Sequence, residues 1–207
     1  MGDPKKSKKK YSKPSHPWQG ARIKEEAVLT KKYGLKNKKE LWKMISILKK
    51  VKEQARVLIA GYTEQHKKEE KQLIERLLRL NIIGENSNLD DVLGLTSESI
   101  FNRRLQTIVF KSGLTKTISQ ARQFIIHGHV AVNGKVMSVP SYLVKKDEEP
   151  KISFYKNSKL NNEEHPERIT KEVIKEIKIE KEEIEPSEDK KHELVEVMVT
   201  PAAEAAA

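Results

Sequence analysis

Apolar positions in the first two-thirds of the chain recur at helical spacing, and the spacing changes near residue 130. Over residues 22–33, Ile23, Ala27 and Val28 predict a short helix stopped near Gly34. Residues 38–60 predict a longer one, with Leu41, Ile45, Leu48, Val51 or Lys52, Ala55, Leu58 and Ile59 near an i, i+3, i+4 stripe and Gly61 as its stop. A third is predicted over 63–80, where Leu73, Leu77 and Leu80 form the stripe beside Ile74 and Leu78. Residues 84–91 read as a polar loop and 92–95 as a short apolar bridge. These stripes are core positions, so the region reads as a small helical subdomain.

The next segment predicts one helix capped by Thr96 or Ser97, running to Lys111 and ending at Gly113. Ile100, Leu105, Ile108 and Val109 supply its buried side, and Arg103, Arg104, Thr107 and Lys111 its flank. Thr117 caps a helix over 118–126 that Gly128 ends, with Ile118, Ala121 and Ile125 on one side and Ser119, Arg122 and Gln123 on another. Residues 130–132 then alternate as a strand, and Asn133-Gly134 is a strong hairpin signal. Lys135 and Val136 begin the return strand, Pro140 interrupts it, and 141–144 and 151–155 add candidate edge strands. Over 163–185, Ile169, Val173, Ile177 and Ile184 sit at helix-like spacing among alternating Glu and Lys, the pattern of a marginal helix or a disordered tail.

Charge gives these elements a direction. The 207 residues carry a net +11, but residues 161–207 hold 7 Lys+Arg against 14 Asp+Glu. The first 160 residues therefore carry +18, a basic body that attracts polyanions through counterion release. Residues 1–20 set Lys5, Lys6, Lys8, Lys9, Lys10 and Lys13 among three prolines, with Tyr11, His16 and Trp18 interleaved. Such an arm cannot bury enough surface to order itself alone. Its lysines suit RNA phosphates, and its aromatics suit either base stacking or anchoring on the body.

Other chemistries are poorly supported. The absence of cysteine excludes disulfides, thiolate zinc sites and cysteine nucleophiles. No apolar run reaches the roughly twenty residues that cross a bilayer, and the expectation is an intracellular protein with no membrane role. Clustered carboxylates occur in the tail, without a rigid frame to tune them, and no phosphate-binding glycine loop is present. His127 and His129 have no neighbouring ligand set, so no metal or cofactor is expected; either both rings face a nucleic acid or one is structural. The constellation that remains is Arg103, Arg104, Lys111, Lys116, Arg122 and Lys135, supplemented by Gln106, Ser119, Gln120, Gln123 and Asn133 as hydrogen-bonding partners. Two basic helices followed by a hairpin favour RNA read by shape over a major-groove DNA reader.

The runs Phe101-Asn102-Arg103-Arg104-Leu105-Gln106-Thr107, Ser119-Gln120-Ala121-Arg122-Gln123 and His127-Gly128-His129-Val130-Ala131-Val132-Asn133-Gly134-Lys135 resemble the S-four-type RNA-binding domain. With the start Gly2-Asp3-Pro4-Lys5-Lys6 through His16-Pro17-Trp18, the chain resembles the archaeal branch of the small-subunit ribosomal protein S-four family over roughly residues 1–155. The resemblance implies an α+β fold: a helical subdomain over 21–95, an RNA-binding domain of two packed helices and a short twisted antiparallel sheet over 96–157, a flexible basic arm over 1–20 and an acidic, largely flexible tail over 158–207. It implies a non-enzymatic, cytoplasmic ribosomal constituent that binds 16S ribosomal RNA and nucleates assembly of the subunit body. Neighbouring small-subunit proteins are implied partners, as is mRNA at its entrance channel, with a role in translational accuracy. The same module occurs in stand-alone ribosome-rescue or assembly factors and appended to RNA-modifying enzymes; the helical subdomain and the lack of a catalytic domain disfavour both. The cysteine-held zinc of some family members does not carry over.

Overall fold

The structure is a computed structural model that describes residues 9–61, 63–162, 165 and 167. Lys5, Lys6 and Lys8 of the arm lie outside these residues, as does most of the acidic tail; the tail expected to be flexible from residue 158 instead begins packed, with Leu160 buried in the core and Ser158 bonded to His129. Among the described residues seven α-helices, α1 (Gly20–Lys32), α2 (Lys38–Ala60), α3 (Glu64–Arg79), α4 (Leu89–Gly94), α5 (Ser97–Asn102), α6 (Leu105–Lys111) and α7 (Ile118–Ile126), precede strands β1 (Val130–Val132), β2 (Lys135–Val136) and β3 (Ile152–Phe154). The fold is α+β, as expected, with the helices first and a small antiparallel sheet in the order β2-β1-β3.

Helix α2 keeps its predicted bounds, but its inward seam is Leu41, Met44, Val51, Ala55 and Leu58. Ile45 and Ile59, expected in the stripe, sit one position off that seam and are exposed. Helix α1 is rotated likewise: Val28 is exposed, while Leu29 and Tyr33 pack inward and Glu26 is buried among cationic and indole partners. Residues 84–91 are not wholly a loop. Asn88 caps α4 and Asp91 accepts its N–H in return, so Leu89 and Val92 enter the core on a helical turn.

Three apolar clusters result. Tyr33, Leu41, Met44, Ile100 and Phe101 join α1, the start of α2 and α5, with the Tyr33 and Phe101 rings stacked at 4.9 Å. The end of α2 packs with α3 and α4 through Val51, Leu58, Leu73, Leu77 and Val92. Leu105, Val109, Ala121, Phe124, Ile125, Val130, Val132, Val144 and Phe154 tie α6 and α7 to the sheet.

The predicted single helix over 97–111 is two helices. The backbone turns extended at Arg104 (φ −74°, ψ 141°) and pairs there with Leu143 as an isolated bridge. Leu105 N–H donates to Tyr142 O at 2.8 Å, and Val144 N–H donates to Arg103 O at 3.0 Å. Long-range backbone bonds thus replace the helical ones, a competition that side-chain periodicity does not register. The stretch 141–144 is accordingly spent on this bridge, and β3 alone supplies the second edge of the sheet. At the hairpin, Asn133 (φ 53°) and Gly134 (φ 78°) both take the left-handed region that a type I′ turn requires. β1 is buried throughout rather than alternating, because it is the central strand.

Candidate nucleic-acid interface

The two arginines at the helix break face inward. Arg104 is 1% exposed; its guanidinium meets Glu40 Oε2 at 2.6 Å and lies 5.9 Å from the centre of the Phe101 ring. Arg103 is also buried, bound to Glu149 at 2.8 Å and to the carbonyl of Val144 at 3.3 Å. Gln106, 1% exposed, donates from its side-chain amide to the carbonyls of Gly34 and Ile118. The flank expected at Arg103, Arg104, Thr107 and Lys111 is therefore corrected: the two arginines and Thr107 are buried and only Lys111 is exposed, while the amide of Gln106, expected to face RNA, is spent inside the body.

Glu40 is the centre of that arrangement and was not singled out in the sequence. Its carboxylate takes Arg104 on one oxygen and Arg122 Nη2 at 2.8 Å on the other, joining the first turn of α2 to the α5–α6 break and to α7. Burial pushes the carboxyl pKa up, but hydrogen bonds from Arg122 and Arg104, with their charges, outweigh this and hold it below its ordinary value. The guanidinium of Arg104 is pulled down by burial and restored in part by Glu40. Only the long-range fold brings residues 40, 104 and 122 together, so no local sequence signal could reveal the trio.

Arg122 reaches the surface beside Glu40. With Ser119, Thr30, Lys31, Gly34, Leu35 and Lys36 it lines an open groove of about 420 Å³. Gly34 permits this close approach: its φ is +56°, and a Cβ there would stand 2.7 Å from Ile118 Cγ2. Lys31, in the last turn of α1, and Lys36, in the connection to α2, were thus missed as site candidates; the hint was their place in a lysine-rich stretch. Chemically the groove offers two ammonium groups and a hydroxyl, a donor set suited to phosphate oxygens, beside an Arg122 whose two terminal nitrogens are already engaged by Glu40 at 2.8 and 3.2 Å.

The remaining candidates divide. Lys111, Lys116, Ser119, Gln123, His127, Asn133 and Lys135 are exposed. Among the described residues Lys116 and Lys135 have no ion pair, whereas Lys111 Nζ bonds Asn102 Oδ1 at 3.2 Å. Thr117 accepts the Gln120 N–H at 3.2 Å and Gln120 Oε1 accepts the Lys116 N–H at 2.8 Å, so Gln120 helps start α7. The two histidines separate. His127 caps the exposed end of α7, while His129 bonds Ser158 at 2.8 Å and sets its ring at the edge of Phe124. Among the described residues no cluster of histidine and carboxylate side chains could hold a metal ion.

The arm is anchored through Tyr11, whose ring stacks on Trp42 at 6.2 Å, and through Ser12, whose N–H donates to Ser46 Oγ at 3.1 Å. Lys9 lies over the Tyr11 ring, and Lys10 and Lys13 are exposed. Trp18, in contrast, is 91% exposed. No helix among the described residues is long and apolar enough to cross a membrane.

Residues 103–149 match the S4 domain family. The small ribosomal subunit protein uS4 of Methanococcus aeolicus is 54% identical over 169 residues, covering 81% of this chain and 96% of that protein. The uS4 of Methanothermobacter thermautotrophicus is 47% identical over 163 residues, covering 79% and 95%.

Proposed function

This chain belongs to the small ribosomal subunit protein uS4 family, and from that premise we propose how its surface serves the subunit. It is a structural constituent of the small ribosomal subunit, located on the cytoplasmic ribosome, and it is not an enzyme. Its partner is the subunit's RNA. The observation that carries this reading is the match over 96% of a ribosomal relative's length, which takes in the helical subdomain as well as the S4 module. A stand-alone factor or an enzyme accessory built on the module alone would leave the helices unmatched.

The RNA backbone is read by the groove of Lys31, Lys36, Ser119 and Arg122, by Lys111, Lys116, Gln123, His127, Asn133 and Lys135 on the module, and by the arm lysines. Arg103, Arg104 and Gln106 shape that surface from beneath, and Gln120 and His129 hold its elements. Exposed Ile45, Ile47, Val57 and Ile59 on α2 offer apolar surface to neighbouring subunit proteins. Cations on both arm and module allow two RNA segments to be gathered at once. That suits a primary 16S binder that nucleates the subunit body, lies by the mRNA entrance channel and contributes to translational accuracy.

The test is a salt titration. Replacing Lys36, Lys116 and Lys135 by alanine should weaken binding to small-subunit RNA and lower the slope of log K against log salt by about 0.7–0.9 per lost phosphate contact. An unchanged slope and affinity would remove these residues from the interface. Recovery of the protein only in the soluble fraction after a high-salt wash, with none on the small subunit, would overturn the ribosomal reading itself.

A further inference from the structure

The chain has two tryptophans, and the fold treats them oppositely. Trp42 is half-buried, stacked on Tyr11 and donating its indole N–H to Glu26 Oε1 at 3.2 Å. Trp18 stands 91% exposed, more than any other large apolar side chain among the described residues. Leaving an indole in water forgoes one of the largest burial gains available to a side chain.

The exposure is built rather than slack. Arg22 Nη2 donates to the carbonyls of His16 and Pro17, both at 2.9 Å, gripping the turn that immediately precedes Trp18. The other terminal nitrogen of Arg22, Nη1, is paired with Glu26, a carboxylate 4% exposed. Glu26 in turn accepts from Trp42 and lies 3.5 Å from Lys38 Nζ. Burial pushes the Glu26 carboxyl up, yet the Trp42 and Arg22 hydrogen bonds and the charges of Arg22 and Lys38 hold it low, so the clamp is ionised at neutral pH. A chain of contacts from the core of α2 to two backbone carbonyls thus fixes the turn, and Pro17 limits its backbone further. Among the described residues the Trp18 side chain presented there makes no hydrogen bond and no ring contact.

The surroundings say what would cover it. Between Asp3 and Glu25 the sequence contains eight Lys and Arg and no acidic residue. Exposed Lys13 and His16 flank the turn, and Lys24 follows on the first turns of α1. A flat apolar face in a cationic field fits a partner that is itself flat, apolar on its faces and anionic at its edge. A nucleotide has that composition.

We propose that Trp18 is a stacking platform for an unpaired base of RNA, held in position by the Arg22–Glu26 clamp. The proposal rests on the reading of the chain as a ribosomal-RNA binder and adds a base contact to what is otherwise a set of phosphate contacts.

The test compares Trp18→Ala and Trp18→Phe with the full-length protein on small-subunit RNA. Trp18→Ala should lower affinity by about 5- to 150-fold, the range for losing one stacked base, and Trp18→Phe should keep most of it. Neither should change the salt slope, because no counterion is released by stacking. Chemical probing should show one unpaired base protected by the wild type and exposed with Trp18→Ala. Arg22→Lys keeps the charge but loses the forked grip; it should lower affinity, and with Trp18→Ala it should add nothing further. Wild-type affinity and protections in Trp18→Ala would overturn the stacking proposal, assigning the indole to a protein neighbour. A lowered melting temperature in Trp18→Ala would overturn it too, by showing that the indole packs. Additive losses in the double variant would overturn the clamp. The underlying RNA-binding reading fails separately, if the wild type itself binds the RNA weakly and without salt dependence.

Discussion

At the scale of single residues, Glu40 decides more than any cation it holds. It receives Arg104, which is buried, and Arg122, which is one-fifth exposed at its side chain. Removing the carboxylate leaves a buried guanidinium without its counter-charge, so Glu40→Gln should cost about 3 kcal/mol of unfolding free energy, the lower end for a broken buried pair because part of the cluster stays in water. The folded-state pKa values of Glu40 and Glu26 lie below their unfolded values. Their stabilisation is therefore complete above the unfolded carboxylate range, near 4.3, and is lost as pH falls through the folded values. Denaturant unfolding of the wild type should give a constant free energy from pH 7 to about 5 and a decline below about 4, with a shallower decline in Glu40→Gln. Equal stability of the two proteins at pH 7 would refute this account. The arginines themselves were legible as important residues, but their location was not. With both guanidinium groups inside, alanine at Arg103 or Arg104 perturbs the fold first, and only Arg122 of the three arginines reaches the groove.

At the scale of elements, what the chain announces locally is what survives. Helix α2 starts and stops where periodicity and Gly61 put it, and the Asn133-Gly134 turn takes the two positive φ values that its residues favour. Thr117 caps α7 as its residue type predicts. Replacing Thr117 by Ala should therefore destabilise the protein by about 1 kcal/mol and loosen the Lys116–Ser119 turn that carries candidate RNA contacts. Hydrogen exchange of the first α7 amides would measure it; unchanged protection would mean that tertiary packing, and not the cap, fixes the helix start. The division into α5 and α6 was illegible for the opposite reason. It depends on Tyr142, Leu143 and Val144 returning from some forty residues away to take over backbone bonds at Arg103–Leu105. A helical stripe through Ile100, Leu105 and Ile108 looks the same whether or not that segment arrives. Asn88 and Asp91 form the reverse case, a capping pair that was present in the sequence but was read as loop.

At the scale of the whole molecule, charge is unevenly spread along the chain, and a polyanion responds to that distribution. The first 160 residues carry +18 and the remaining 47 carry −7. A protein truncated after residue 160 loses that negative charge while retaining every groove and arm cation described above. Its field on an approaching polyanion is stronger, so association with unrelated RNA should rise by about tenfold or more at low salt. The gain should vanish as salt rises, because exposed charges more than a screening length apart, about 10 Å at 0.1 M, cease to act on one another. Specific binding should gain less, since it also draws on the geometry of the groove and on contacts that net charge does not alter. The discrimination ratio between small-subunit RNA and an unrelated RNA of equal length should therefore fall on truncation at low salt and recover at high salt. If the truncated and full-length proteins discriminate equally well across the titration, net charge is not what the acidic segment contributes.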